Sequence, residues 1–150
     1  MKVKAVMRSD VATCIPETKL TEVARLMWDG DTGFVAVIDP LTQVLVGVIT
    51  DRDALMAAYT TGQTLEALTA RVGMAKVVKT CSPEDQIEAA EQMMGEFRVH
   101  RLPVVDEQGK IAGVLSLNEI ARKAAEEGDE FLEQEVGLTL GAICRPRAQA

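Results

Sequence analysis

No stretch of the chain approaches the roughly 18 consecutive apolar residues that a membrane-spanning helix needs. The opening MKVKAVMRSD has no apolar run of signal-peptide length, so the expected location is the cytoplasm, with reduced thiols and no membrane partner. Cysteine is nearly absent. Cys14, Cys81 and Cys144 are too few and too scattered for a disulfide framework, and no CxxC pair is present to hold zinc. An excess of positive charge is missing too: the formal charge of −7 excludes a general phosphate-backbone binder and hence a nucleic-acid partner. It leaves room for a local basic patch around one small anion.

Catalytic signatures are likewise lacking. There is no HExxH, P-loop or GxGxxG motif, and His100, the single histidine, offers no nucleophile–base pairing. Asp51 and Asp53 alternate around one chain position and do not by themselves make an acid–base pair. The expectation is a non-enzyme with no catalytic or metal-binding residues and no catalytic cofactor. With 47% apolar and 26% charged residues, the composition is that of an ordinary globular protein.

What the chain does have is itself, twice. TCIPETKLTEVARLMWDGDTGFVAVID (13–39) lies without a gap over TCSPEDQIEAAEQMMGEFRVHRLPVVD (80–106). Thr13 falls on Thr80, Cys14 on Cys81, Pro16 on Pro83, Met27 on Met94 and Asp39 on Asp106. After one extra residue in the first turn, Gly47-Val48 falls on Gly113-Val114. Internal repetition of this kind determines the whole architecture.

Each copy reads β-α-β-β-α. A short β-rich segment (11–15; 77–81) leads to a helix in which Leu20, Val23, Ala24 and Met27, or Ile87, Ala90, Met94 and Phe97, recur at helical spacing. Thr18 and Asp85 are the expected caps, with Glu88 closing a box on Asp85. Two apolar runs follow, split by turns at Pro40 and Gly109. A last helix covers 52–59 and 117–126. The boundaries read as 1–64 for the first repeat, 65–126 for the second and 127–150 for a tail. A short helix is expected around Leu65 to Leu68, and an amphipathic tail helix carries Phe131, Val136, Leu140 and Ile143. A half of about 55 residues buries too little apolar surface to be comfortable alone, so the expected α/β fold packs two halves sheet against sheet.

A duplicated β-α-β-β-α unit containing Gly-Val-Ile-Thr-Asp-Arg-Asp (47–53), with MRSDVATCIP at its start and HRLPVVD in its second copy, resembles the CBS domain, named for cystathionine β-synthase. The domain occurs in tandem as a Bateman pair. The resemblance covers residues 5–126. It implies a regulatory, signal-transducing module binding AMP, ADP or ATP, or else S-adenosylmethionine or NAD(H), in a cleft between repeats. It also implies a homodimeric disc and an effector protein that the sequence does not name.

Thr50-Asp51-Arg52-Asp53 has two compatible readings. One is a helix N-terminus, Thr50 capping and Asp53 closing the box; Ser116 to Glu119 fits this better, Glu being the preferred partner. The other is a ligand site, since a helix start attracts anions and a carboxylate can accept two hydrogen bonds from a ribose diol. By the resemblance, Thr50 meets the phosphate–ribose part, Asp53 the diol and Arg52 a phosphate. Glu119, a longer arm, makes the Ser116 site the weaker or empty one. His100 and Arg101, ahead of Pro103, are the implied phosphate ligands, where the first copy has only Gly33 and Phe34. Thr13 and Pro16 are implied contacts to base or ribose. Arg8 either helps with phosphate or is solvated. Val11, Ile15, Val35, Val37 and Ile49 either line an adenine slot or belong to the core. Cys14 and Cys81 read as small buried apolar groups. Trp28 is expected at a helix interface, within the chain or between chains, and the tail helix is a candidate output or dimer element. If no ligand binds, the alternative is a structural dimerisation or docking module with degenerate clefts.

Overall fold

The computed structural model describes residues 1–146. Its elements run β1 (Thr13–Cys14), α1 (Leu20–Asp29), β2 (Phe34–Ile38), β3 (Leu45–Thr50), α2 (Asp51–Thr61), α3 (Ala70–Gly73), α4 (Ile87–Phe97), β4 (Arg101–Val105), β5 (Ile111–Ser116), α5 (Leu117–Glu127) and α6 (Glu130–Ile143). Single 3-10 turns occupy Val3–Ala5 and Leu65–Ala67. The fold is mixed α and β, and the β-α-β-β-α order is met twice. In the first copy β2 pairs parallel with β1 and antiparallel with β3. In the second, β4 pairs with β5, and the counterpart of β1 shrinks to one parallel bridge, Cys81 to Val104. Cys14 pairs with Val37 in the same register, so the duplication extends to individual backbone partners.

Two compact units result, and they do not follow the repeats end to end. One comprises Asp10–Val78 with Glu107–Ile111; the other comprises Met1–Ser9, Lys79–Asp106 and the chain from Ala112 onward. The leading segment of each repeat is therefore built into the unit of the other. Arg8 exchanges backbone hydrogen bonds with Val114 on β5, and Ala75 exchanges them with Val48 on β3. Glycine makes both approaches possible. A Cβ at Gly113 would lie 2.6 Å from the Arg8 carbonyl oxygen, and one at Gly47 would lie 2.9 Å from that of Ala75.

The first unit's core gathers Leu20, Val23 and Met27 from α1, Val35, Val37 and Ile49 from the sheet, and Ala54, Ala57 and Ala70 from the later helices. Val35, Val37 and Ile49 are fully buried there, which settles them as core rather than adenine slot. The second unit's core joins Val3 and Val6 to Ile87, Met94, Leu102, Val104, Leu115 and Ile120, and adds Leu132 and Ile143 from α6. Cys14 and Cys81 lie one in each core. Burial pushes their thiols up to about 11 and about 12, so both stay protonated at neutral pH.

Five expectations need correction. Thr18 does not cap α1; Lys19 holds that position without a side-chain bond, and the Thr18 hydroxyl accepts from the Ile15 N–H. Asp85 does not open a capping box with Glu88: Gln86 precedes α4, and the Asp85 carboxylate accepts from the Ser82 N–H, closing the preceding turn instead. Trp28 is 87% exposed, which removes the reading of an interface within the chain. Phe97 ends α4 half-exposed, with the Lys79 ammonium 4.3 Å from its ring centre. The tail helix forms, but it buries Leu132, Thr139 and Ile143 with Val136 partly covered, leaving Phe131 and Leu140 exposed. Positions 132, 136, 139 and 143 share one face, whereas Phe131 and Leu140 fall beside it. The α4 surface that meets α6 includes Gly95, where an added Cβ would stand 3.2 Å from that of Ala142.

Two outcomes test this core. Gly113→Ala should lower the melting temperature by several degrees, since displacing a paired carbonyl costs about 1–3 kcal/mol; an unchanged melt would refute the close approach. A thiol reagent added to native protein should modify Cys144, the exposed cysteine, and spare Cys14 and Cys81 until the chain unfolds. Mass spectrometry of the labelled peptides reads this directly.

Candidate functional site

The first copy turns from β3 into α2 at Thr50. The Asp53 N–H donates to Thr50 Oγ1 at 3.1 Å, and the Thr50 N–H donates to Asp53 Oδ2 at 2.9 Å, a complete capping box. The Asp51 N–H donates to the Gly33 carbonyl at 3.1 Å, and the Arg52 N–H to Asp51 Oδ1 at 2.9 Å. Gly33 has a specific consequence here: a Cβ on it would come within 3.0 Å of the Asp51 carboxylate. Thr50 and Asp53 are half-buried while Asp51 and Arg52 are exposed.

The cap occupies Oδ2 of Asp53 and leaves Oδ1 free of any hydrogen bond among the described residues. A carboxylate has about four lone-pair sites, so capping and accepting from a further donor are chemically compatible. Two carboxylates against one guanidinium make this start acidic. That suits hydroxyl donors better than a multiply charged phosphate.

The second copy repeats the geometry with different chemistry. The Leu117 N–H donates to the His100 carbonyl at 3.0 Å, as Asp51 does to Gly33. Ser116 Oγ accepts from the Glu119 N–H at 3.3 Å, but the reciprocal bond that closes the α2 box is absent from α5. The expectation that Glu would make the better box is therefore reversed. The shorter Asp53 arm reaches the cap N–H, whereas Glu119 does not. Ser116 is buried, Arg101 half-buried and His100 exposed. The backbone thus brings His100, next to Arg101, against the α5 start that Ser116 caps.

The sequence-selected residues accordingly divide. Thr50, Arg52 and Asp53 share the α2 start in the first unit; His100, Arg101 and Ser116 share the α5 start in the second. Pro103 is buried, its carbonyl accepting from the Cys81 N–H at 3.1 Å, and Pro16 is buried with its carbonyl accepting from the Arg71 N–H at 2.9 Å. Thr13 is exposed on β1, paired in register with Ala36. Arg8 is tied to β5 through its backbone. Among the described residues no cluster of three or more His, Cys, Asp or Glu side chains could hold a metal ion, and no helix is long and apolar enough to cross a membrane.

Sequence reasoning passed over one residue, Glu91. It is 2% exposed, and neither carboxylate oxygen has a hydrogen-bond partner. The signal was present. Ile87, Ala90, Glu91 and Met94 follow the i, i+3, i+4, i+7 spacing of a buried helical stripe, and Glu91 is the one polar member.

Comparison with known proteins places this geometry. The family model described as CBS domain matches the chain twice, over residues 3–59 and 70–126. The CBS domain-containing protein YhcV of Bacillus subtilis is 31% identical over 79% of this chain and 82% of its own length. Protein MK0525 of Methanopyrus kandleri is 28% identical over 80% of this chain, which spans only 61% of that relative. Among solved structures, CBSX2 in complex with AMP superposes with a TM-score of 0.72 at 26% identity, covering 85% of this chain and 98% of that one. Both matched segments begin in the leading segments that are built into the other repeat's unit, and each ends in the helix that Thr50 or Ser116 caps. The chain belongs to the CBS domain family and carries the domain twice.

Proposed function

We propose that the protein is a regulatory module whose ligand is an adenosine-containing compound of the AMP, ADP or ATP class. The observation that carries this is the α2 start: Thr50 and Asp53 close a reciprocal capping box, yet Asp53 keeps one carboxylate oxygen for an outside donor. A ribose diol presents two hydroxyl donors, and charge-assisted hydrogen bonds to a carboxylate are the strong kind. His100 and Arg101, ahead of the α5 start, are the proposed phosphate contacts, the planar guanidinium of Arg101 being suited to two parallel N–H bonds. The AMP complex of CBSX2 supports the choice of ligand class. In this reading the Thr50–Asp53 position binds its ligand, and the Ser116–Glu119 position is weak or empty. The repeat boundaries 1–64 and 65–126 with a tail from 127 remain our division of the sequence, and a homodimer acting on an effector protein is its working form.

A second reading rests on a different observation. Trp28, Tyr59 and Leu55, on α1 and α2, are 87%, 79% and 63% exposed. Large apolar side chains bared together on two adjacent helices are what a dimerisation or docking module would present.

Thermal melting against AMP, ADP, ATP, S-adenosylmethionine, NAD and NADH separates the two. A ligand at 100 times its dissociation constant adds about 2.7 kcal/mol, several degrees for a chain of this size. Asp53→Asn is the informative variant, because the Asn side-chain oxygen can still accept the Thr50 N–H while the charge is lost. The expected result is an unliganded melt close to wild type with the nucleotide shift abolished. A shift that survives Asp53→Asn would remove Asp53 from the site, and no shift with any ligand would leave the docking reading. For that reading, Trp28→Glu with Tyr59→Glu should convert a dimer to monomer in sedimentation; an unaltered mass would dismiss this face.

A further inference from the structure

Glu91 lies under the C-terminal helix. It forms part of the wall of an open groove of about 640 Å³ between α4 and α6, bordered by Glu88, Gln92 and Glu96 on one side and Glu135, Thr139 and Arg145 on the other. Its carboxyl is out of contact with solvent and has no hydrogen-bond partner. An ionised carboxylate cannot be held there cheaply, since nothing replaces its lost hydration. A lone buried charge of this kind normally neutralises instead.

The charged neighbours reinforce the point. Glu88 faces it from its own helix and Glu135 from the covering one, while among the described residues Arg145 is the one basic residue bordering the groove and makes no ion pair. Burial first, then repulsion from Glu135 and Glu88, push the Glu91 carboxyl up from 4.5 to about 7.

We infer that α6 is a proton-gated cover: it closes over the α4–α5 face when Glu91 carries a proton and loosens when Glu91 ionises. The asymmetry between units gives the cover a purpose. The corresponding helices of the first unit, α1 and α2, leave Trp28, Leu55 and Tyr59 bare, whereas α4 and α5 are sheathed by Leu132, Val136 and Ile143. Loosening α6 would bare the second helical face as well, so proton loss would add a second apolar surface to the one on α1 and α2.

The direction follows from proton counting. With α6 lifted, Glu91 is an ordinary exposed carboxylate near 4.5; with α6 down it holds its proton up to about 7. Between those values the closed form binds one more proton than the open form. Closure is therefore most favourable below about pH 4.5, weakens by about tenfold per pH unit up to about pH 7, and levels off above it.

Hydrogen exchange of the full chain between pH 5 and 8, read by mass spectrometry as protection factors corrected for intrinsic rate, tests this. Peptides from α6 should lose protection about tenfold per pH unit up to pH 7 and then plateau, while α1 peptides stay level. Glu91→Gln, which cannot ionise, should flatten the α6 profile and leave it protected at pH 8. A flat wild-type α6 profile, or an equal slope in Glu91→Gln, would overturn the inference. Should that variant not fold, the wild-type profile decides alone.

Discussion

The structure depends on two short backbone pairings, Arg8 with Val114 and Ala75 with Val48. Each brings the leading segment of one repeat against the last strand of the other's hairpin. Each is possible because glycine stands beside the pairing on the strand, at 113 and at 47. A repeat of about 55 residues buries too small a share of its surface to fold comfortably alone. Exchanging leading segments makes each core a joint product: Val3 and Val6 complete the core around Ile87, and Ala70 completes the one around Leu20. Separating the repeats would remove a fully buried residue from both cores at once.

This exchange was not legible in the sequence. Hydrophobic spacing reports which residues of a segment are buried but not in which unit, and Val3, Val6 and Met7 have the same pattern whether they pack at home or away. The elements themselves were legible because local physics determines them. Leu20, Val23 and Met27 recur at helical spacing and form α1, and the apolar runs around Pro40 and Gly109 form the hairpins. Caps were harder. Thr18 and Asp85 have cap chemistry at plausible positions, but their side chains satisfy the turn before the helix, a competing use that Ser, Thr, Asn and Asp always have. The tail failed differently. Phe131 and Leu140 are as apolar as Leu132, and only the neighbouring helices decide which stripe of an apolar helix turns inward.

The two helix starts show how duplication with divergence gives two similar joints different chemistry. Backbone geometry is retained, with the first helical N–H bonded to the carbonyl 18 residues earlier at Asp51 and 17 earlier at Leu117. Side-chain chemistry is not. The α2 start has the closed box and the acceptor Asp53, while the α5 start has Ser116, an unclosed box and the basic His100–Arg101 pair. A cap alone is indifferent to this division, because either hydroxyl covers the same orphan N–H. The divergence therefore lies in what each start offers beyond capping: a spare carboxylate oxygen at α2, and a basic pair ahead of the strand at α5.

Glu91 is the point where the same chain departs from its own repeat. The first copy has Ala24 at the equivalent place on α1, half-buried and uncharged. The second has a carboxyl there and a helix over it. A purely structural addition would have placed an apolar residue under α6, in keeping with the Leu132 and Ile143 that α6 itself buries. Replacing a buried ionisable group by a well-packed apolar one is often stabilising, so retaining Glu91 sacrifices adhesion of α6. What the carboxyl provides in return is a closure whose strength depends on a proton. Local opening is favoured where a segment is covered on one side only, and α6 buries Leu132, Thr139 and Ile143 while its outer face, with Phe131, Leu138 and Leu140, stays exposed. Moving α6 would take Leu132 and Ile143 out of the second core and leave the first core whole, so the proton on Glu91 and the packing of that one core are coupled.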